Sequence, residues 1–173
     1  CLGKTEHGYV LSSESCAFDA IKAEFIRDID PGEMVIIDDC GVRSKIYAEP
    51  QKIDKKLCVF EYIYFARSDS KIDGQSVYET RLNMGRELYN ETKYDADIVM
   101  SIPDSGTTAA LGYARASGIP FAEGLIKNRY SGRTFIKPNQ EERELAVRMK
   151  LNAMPEVVGG KRIVLIDDSI VRG

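Results

Sequence analysis

The chain has 173 residues, of which 43% are apolar and 29% charged, so it can form one globular domain or parts of two. Its net charge of -3, with the basic residues scattered, gives no reason to expect nucleic acid or a membrane surface as a partner. No apolar run is long enough to span a bilayer and no secretory pattern opens the chain, so we expect a cytoplasmic protein.

The first 50 residues predict the closing part of one domain. Apolar side chains recur at helical spacing over residues 17–26, which predicts a helix. Two strands follow, GEMVIIDD and VRSKIYAEP, joined by turn residues at 39–41. The polar segment 51–57 resembles a linker, so we place a domain boundary after residue 50. Because the chain starts without methionine and stops inside a strand-to-helix loop, we interpret it as an internal part of a longer polypeptide.

The remaining residues predict strands that alternate with helices. The aromatic segment VFEYIYFA (59–66) predicts a buried strand. The elements after it are a helix at 77–90, a strand at 97–102, a helix at 107–117 ended by Gly118, a charged helix at 141–149 and a strand at 162–167. Short, wholly apolar strands between helices are typical of a parallel sheet covered on both faces. The sequence therefore predicts an α/β fold.

The strand at 97–102 is followed by a loop suited to an anion. Pro103, Asp104, Ser105 and Gly106 lead directly into the next helix. Gly106 permits a close backbone approach, and a helix N-terminus offers N–H groups and a positive dipole. Ser, Asp and Gly are also the commonest loop and cap residues, so this loop alone does not decide between a binding site and an ordinary turn.

The last strand is followed by a second loop of this kind. It delivers Asp167 and Asp168 to the edge of the sheet, where ligands bind in open parallel sheets, and Ser169 comes next. Paired carboxylates accept hydrogen bonds from vicinal sugar hydroxyls and hold a divalent cation. The pair Asp38 and Asp39 also follows an apolar run, but it enters a turn and predicts a hairpin. An acidic pair after an apolar strand is therefore, without the residues around it, only weak evidence for a binding site.

That string, VLIDDSIVRG at 164–173, resembles the phosphoribosyl pyrophosphate signature of type I phosphoribosyltransferases. Three further stretches resemble the amidophosphoribosyltransferase family: CVFEYIYFARSDS, IPDSGTTAALGYA and NRYSGRTFIKP. SESCAFDAI and the hairpin after it resemble the end of that family's glutaminase domain. Ser68 departs from the family's usual proline, and the chain stops before the hydroxyl residues that hold the 5-phosphate.

The resemblance implies a fold and an activity. The fold is a type I phosphoribosyltransferase parallel sheet at 51–173, truncated at its C-terminus, preceded at 1–50 by the end of an α+β N-terminal-nucleophile glutaminase domain. The activity is transfer of glutamine-derived ammonia to phosphoribosyl pyrophosphate, giving 5-phosphoribosylamine, glutamate and pyrophosphate at the first committed step of purine synthesis. Cys1 lacks the glycine and apolar run that follow the family's nucleophile, so we expect the nucleophile upstream.

The resemblance also assigns roles to individual residues. Asp167 and Asp168 would face the ribose hydroxyls and Mg²⁺, and Ser105 would complete the protein side of the metal site. Positive charge for the departing pyrophosphate would come from a flexible loop at 127–137 that orders over bound substrate. The substrate-binding set is Asp104, Ser105, Gly106, Asp167, Asp168 and Ser169, and the catalytic cations are Lys127, Arg129 and Arg133.

Further expectations concern cofactors and partners. In a subset of the family the cysteine matched by Cys58 is one of four ligands to a 4Fe–4S cluster, whereas a single cysteine beside an apolar strand is more often plain packing, and the sequence leaves both open. Purine nucleotides as feedback inhibitors and a homotetramer are expected from the family. Two other functions stay in view: a non-catalytic regulator that senses phosphoribosyl pyrophosphate, and a phosphoribosyltransferase with a nucleobase acceptor. The glutaminase-like segment argues against the first, and NRYSGRTFIKP against the second.

Overall fold

The computed structural model describes residues 1–128 and 150–170 and divides the chain into two compact units, the first Cys1–Glu79 and the second from Thr80 onward. This division falls inside one helix, whereas the domain boundary after residue 50 stays a prediction. The predicted helix at 141–149 lies outside the described residues. In the part of the chain that the structure describes, no helix has the length and apolarity needed to cross a membrane.

The first unit is built on small antiparallel sheets. Strands β1 (Leu2–Thr5), β2 (Gly8–Leu11) and β3 (Glu24–Arg27) form one sheet in the order β2-β1-β3, with helix α1 (Cys16–Ile21) between β2 and β3 in the chain. Strands β4 (Glu33–Asp38) and β5 (Gly41–Ile46) form the predicted hairpin, which is confirmed. A 3-10 turn (Pro50–Lys52), a π-helical turn (Glu61–Phe65) and the two-residue strands β6 (Lys71–Ile72) and β7 (Gln75–Ser76) complete the unit.

The prediction of one helix over residues 17–26 is wrong in its second half. The helix ends at Ile21 because Lys22 adopts a left-handed conformation, with a φ of 54°. The amide of Ala23 then donates to the Phe18 carbonyl at 2.9 Å, and the chain turns into β3, which pairs with β1. The helical spacing of apolar residues therefore extends past the end of the helix. The helix stops at Ile21, and the residues after Lys22 pair with β1 instead.

The prediction of a buried strand at 59–66 is also wrong. Glu61–Phe65 forms a π-helical turn, closed by a 3.1 Å hydrogen bond from the amide of Ala66 to the carbonyl of Glu61. Tyr62 and Ala66 are buried, four residues apart as on one face of a helix. The Tyr62 hydroxyl donates to the Ile72 carbonyl at 2.8 Å, which fixes this turn against β6.

The second unit contains the predicted parallel pairing. Helix α2 (Val77–Glu91) precedes it; the strands are β8 (Ile98–Ser101), β9 (Leu125–Lys127), β10 (Leu151–Ala153) and β11 (Ile163–Ile166), and the later helices are α3 (Thr107–Ser117) and α4 (Pro155–Val158). Strand β11 pairs with β8 in parallel, from Ile163 opposite Ile98 to Ile166 opposite Ser101. Strands β9 and β10 pair antiparallel. The predicted elements at 77–90, 97–102, 107–117 and 162–167 are confirmed within a residue at each end, and so is the α/β fold class.

The core of the second unit lies between the β8–β11 pair and α3. Its buried members are Val99, Ala110, Tyr113, Ala114 and Ile166. Phe121 adds a parallel bridge on the other side of Val99. Strand β8 is buried along its whole length, as its apolar run predicts, whereas β11 buries only Ile166 fully and leaves Ile163 and Leu165 exposed.

Helices α2 and α3 pack with their backbones in contact, and two glycines permit this. A Cβ at Gly85 would lie 1.8 Å from the Ala109 carbonyl oxygen, and one at Gly112 would lie 2.0 Å from the Leu82 carbonyl oxygen. No side chain fits at either position. The contact fixes α3, and with it the loop that enters α3 from β8.

An ion-pair network fixes the amino ends of β8 and β11. The Arg162 guanidinium donates to the carboxylates of Asp95 and Asp97, and the Arg162 amide donates to Asp97 at 2.8 Å. These hydrogen bonds hold the pKa of Asp97 below its ordinary value. The opposite, carboxyl ends of the two strands carry the loops that the sequence singled out.

Candidate functional site

The site begins where β8 and β11 end side by side. The two strands are parallel and in register, so their carboxyl ends lie at one edge of the sheet. The amide of Ile102 donates to the Ile166 carbonyl at 2.9 Å, one residue beyond β8. The two loops predicted from the sequence therefore leave the sheet next to each other, at the edge where open parallel sheets bind ligands.

Gly106 sets how closely the two loops approach. A Cβ built on it would lie 2.7 Å from the Ile166 carbonyl oxygen, 3.1 Å from the Ile102 carbonyl oxygen and 3.2 Å from the Asp167 Cα. These neighbours are backbone atoms, which cannot rotate away as a side chain can. The loop after β8 can therefore approach Asp167 this closely only because Gly106 has no side chain.

The loop from Pro103 to Gly106 forms a tight turn into α3. The amide of Gly106 donates to the Ile102 carbonyl at 3.2 Å, and the amide of Thr107 donates to the Asp104 carbonyl at 3.3 Å. The Pro103–Asp104 peptide bond is cis. The Thr107 hydroxyl lies 3.1 Å from the Ser101 hydroxyl, which ties the first residue of the helix to the last residue of β8.

The acidic pair after β11 is ordered by its own loop. The amide of Asp168 donates to the Asp167 carboxylate at 2.8 Å, and the Ser169 hydroxyl donates to the Asp168 carboxylate. Asp167 is exposed and Asp168 is half-buried. Each of these bonds uses one oxygen of its carboxylate, so the other oxygen is available to accept from a ligand or to coordinate a cation.

A cavity of about 640 Å³ adjoins the loop after β8. It is lined by Asp104 and Thr107 from the loop and the start of α3, by Phe121 and Glu123, and by β9. Lys127, the last residue of β9, reaches across to donate from its Nζ to the Asp104 carboxylate at 2.6 Å. This cavity is large enough for a small phosphorylated metabolite.

The sequence-predicted residues fall into three groups. Six of them lie on the two adjoining loops, and Lys127 lies on the cavity next to them; the six are Asp104, Ser105, Gly106, Asp167, Asp168 and Ser169. Arg129 and Arg133 lie outside the described residues, as does most of the 127–137 segment. Cys58 belongs to the first unit, where its side chain is exposed.

Sequence reasoning missed Thr107 as a residue of the cavity. Its hydroxyl stands at the first position of α3, within the turn that follows the predicted loop. A hydroxyl residue directly after a glycine that enters a helix is a signal available in the sequence, but it is shared with ordinary helix caps. Phe121 was also missed, because its place beside β8 depends on a bridge from a segment without strand pattern.

Comparison with known proteins gives consistent relatives. No family model matches the chain. It is 55% identical to the amidophosphoribosyltransferase of Archaeoglobus fulgidus over 173 residues, which is all of this chain and 37% of that protein. It is 58% identical to the same enzyme of Synechococcus elongatus over 166 residues, 95% of this chain and 33% of that protein.

Solved structures agree with the sequence relatives. The glutamine phosphoribosylpyrophosphate amidotransferase of Bacillus subtilis, complexed with ADP and GMP, superposes with a TM-score of 0.87 at 51% identity, over 98% of this chain and 37% of that one. A structure described as the allosteric regulatory enzyme of purine biosynthesis superposes with a TM-score of 0.88, over 99% of this chain and 36% of that one. The chain thus spans about a third of the length of the relatives it matches.

Proposed function

Because the chain belongs to the amidophosphoribosyltransferase family over the residues it shares with these relatives, we propose that the protein containing it transfers ammonia from glutamine to phosphoribosyl pyrophosphate. The products are 5-phosphoribosylamine, glutamate and pyrophosphate, at the first committed step of purine synthesis. One observation of the site supports this most: the Pro103–Gly106 loop and the Asp167–Ser169 loop meet at the carboxyl ends of paired parallel strands, with Gly106 against Asp167.

The acidic pair is proposed to bind the sugar. The outward oxygens of Asp167 and Asp168 accept hydrogen bonds from the two vicinal ribose hydroxyls, which fixes the ring at the edge of the sheet. Ser169 orients Asp168 through the hydrogen bond that it donates. In this arrangement the anomeric carbon faces the loop after β8, where ammonia attacks it as pyrophosphate leaves.

The loop after β8 is proposed to bind the pyrophosphate. The N-terminus of α3 directs its dipole toward the loop, and the small residues Ser105 and Gly106 allow phosphate oxygens to approach the backbone. Lys127 supplies positive charge from the other side of the cavity. Arg129 and Arg133 are proposed from the sequence to add charge for the leaving group, and they lie outside the described residues.

The residues at the two loops fit a magnesium ion. Asp167, Asp168 and Ser105 offer only oxygen atoms, the ligands that Mg²⁺ prefers. Among residues 1–128 and 150–170 no group of three or more acidic, histidine or cysteine side chains could hold a metal by itself. A magnesium ion usually takes several of its ligands from water and substrate phosphates. When bound, it neutralises charge on the departing pyrophosphate.

The part of the first unit at residues 1–50 is proposed to belong to the ammonia source. Its helix and antiparallel sheet occupy the segment that resembles the end of a glutaminase domain. Cys58 is exposed, and within the described residues it has no neighbouring group that could complete a metal site. We propose that Cys58 is one of four ligands to a 4Fe–4S cluster, with the other three cysteines lying elsewhere in the full-length protein. The iron content of the purified protein tests this.

Regulation and assembly follow from the relatives as proposals. The Bacillus subtilis structure was solved with ADP and GMP. We propose purine nucleotides as feedback inhibitors of this protein as well, a homotetrameric assembly and a cytoplasmic location. The alternative function is a non-catalytic sensor of phosphoribosyl pyrophosphate, which keeps the binding site but has no use for an ammonia source.

Calorimetric titration of phosphoribosyl pyrophosphate into the full-length protein tests the site. We expect binding that weakens by about tenfold or more when EDTA removes Mg²⁺, because substrate phosphates and the acidic pair then repel each other. Ribose 5-phosphate, which lacks the pyrophosphate, serves as the control ligand and is expected to bind weakly with or without Mg²⁺. Equal affinity for phosphoribosyl pyrophosphate with and without the metal would contradict the proposed magnesium site, and no binding would contradict the whole assignment.

A further inference from the structure

The hydrogen bond between Lys127 and Asp104 assigns a role to Asp104 that differs from the one expected from the sequence. The Lys127 Nζ donates to the Asp104 carboxylate at 2.6 Å across the cavity. The Asp104 side chain is 81% exposed, whereas the Lys127 side chain is 37% exposed. Both residues line the cavity, and the carboxylate is the more exposed of the two.

The backbone of Lys127 is fixed, but its side chain needs a partner. Lys127 lies opposite Leu151 in the β9–β10 pair, and the next amide, of Asn128, donates to the Lys150 carbonyl at 2.7 Å. Gly124 lets β9 lie close to the sheet, since a Cβ there would be 2.6 Å from the Met100 sulfur. The lysine side chain nevertheless has four rotatable bonds, and only a contact at its tip can select one orientation.

A direct contact between Asp104 and substrate is electrostatically unfavourable. Phosphoribosyl pyrophosphate carries several negative charges, and an unpaired carboxylate on the loop that receives its pyrophosphate would repel it. Paired with Lys127, the charge of the carboxylate is offset by the ammonium, and the lysine keeps two further N–H donors for the cavity. Exposed ion pairs contribute little to folding stability, so we expect removal of this pair to leave the melting temperature nearly unchanged.

We propose that Asp104 is a positioning residue, which orients the Lys127 ammonium toward the pyrophosphate and does not itself bind substrate or metal. This rests on the proposed function only for the identity of the ligand. The Asp104 carbonyl accepts from the Thr107 amide through its backbone, so replacement of the side chain leaves the turn into α3 intact.

A double-mutant cycle on the full-length protein tests this proposal. Lys127→Ala is expected to lower kcat/KM for phosphoribosyl pyrophosphate by on the order of 10²-fold, and Asp104→Ala by about tenfold. The double variant should lose no more kcat/KM than Lys127→Ala alone, within about twofold, because Asp104 acts through Lys127. Asp104→Asn keeps an oxygen acceptor of the same shape, and we expect it to restore activity to within about threefold of the parent.

The dependence on Mg²⁺ separates positioning from metal binding. Asp104→Ala should leave the Mg²⁺ concentration for half-maximal activity unchanged. Effects that multiply in the cycle, or a raised Mg²⁺ requirement, would overturn the proposal. If the alanine variant has a lower melting temperature, Asp104→Ser takes its place in the same cycle. In a protein that binds the substrate without turnover, the cycle is measured on Kd, so the proposed function can fail while this inference stands.

Discussion

Replacing Asp167 and Asp168 together by asparagine is expected to lower the rate of pyrophosphate release by about 10³-fold or more. The amide has nearly the shape of the carboxylate and still accepts one hydrogen bond. It carries no charge, however, so it is a weaker acceptor for the ribose hydroxyls and a poor ligand for a divalent cation. The measurement is steady-state kinetics with saturating glutamine and Mg²⁺, with the melting temperature recorded for each variant.

The chain supplies a matched control for this prediction. Asp38 and Asp39 also follow an apolar strand, but they stand in the β4–β5 turn, where Asp38 accepts from the Cys40 amide at 3.0 Å and pairs with Arg43. The double replacement Asp38→Asn and Asp39→Asn changes the net charge by the same amount and should leave activity within about twofold of the parent. A loss of similar size in both double variants would mean that the 10³-fold effect arises from stability or net charge rather than from the site.

Gly106→Ala is expected to lower kcat/KM for phosphoribosyl pyrophosphate by about 10²-fold. The new Cβ would lie 2.7 Å from the Ile166 carbonyl oxygen, so the loop after β8 must move away from Asp167 by several tenths of an ångström. In the proposed site, the sugar and the pyrophosphate are bound from opposite sides of this junction. A shift between them therefore misaligns a substrate that has to touch both.

Gly118→Ala is the control for Gly106→Ala. Gly118 ends α3 with a φ of 75° and has open space around its Cα, so alanine there strains the backbone without approaching the site. Both variants should melt at lower temperature than the parent, but only Gly106→Ala should lose activity. Near-parental kinetics in a folded Gly106→Ala protein would show that the two loops need not touch.

The sequence alone was enough to predict the strands and the helix that carry the candidate site. The strands ending at Ser101 and Ile166 are continuous apolar runs, and the helix after Gly106 ends at the left-handed Gly118, so the local signals agree with the observed elements there. The rule that parallel strands bring their carboxyl ends to one edge then placed the two loops together. The contact between Gly106 and Asp167 follows from that rule, although its closeness could not be read from the sequence.

The errors arose where tertiary contacts overrode a local pattern. Residues 24–27 continue a helical spacing, yet they pair with β1 after the left-handed residue Lys22. The aromatic run at 59–66 has strong strand propensity, but it folds as a helical turn with Tyr62 anchored to β6. Strand propensity predicts a residue that fits a half-buried pleated surface, but in this turn only Tyr62 and Ala66 are buried, whereas Phe60, Tyr64 and Phe65 stay exposed.

The pairing of Lys127 with Asp104 could not be predicted either. The two residues are separated by 23 positions, and each was assigned from the family resemblance to contact substrate directly. Only the course of β9 beside the loop after β8 brings the ammonium to the carboxylate. Charge complementarity between a strand end and a distant loop leaves no periodic signal in a sequence, so such a contact becomes visible only with the fold.

The decisive experiment is glutamine-dependent turnover of phosphoribosyl pyrophosphate by the full-length protein. Pyrophosphate and glutamate are measured together in the presence of Mg²⁺, with glutamine, with ammonium salt, or with neither. We predict equal amounts of pyrophosphate and glutamate with glutamine, pyrophosphate alone with ammonia, and little of either without a nitrogen donor. Binding of phosphoribosyl pyrophosphate without pyrophosphate release under any of these conditions would contradict the enzyme and favour the metabolite sensor.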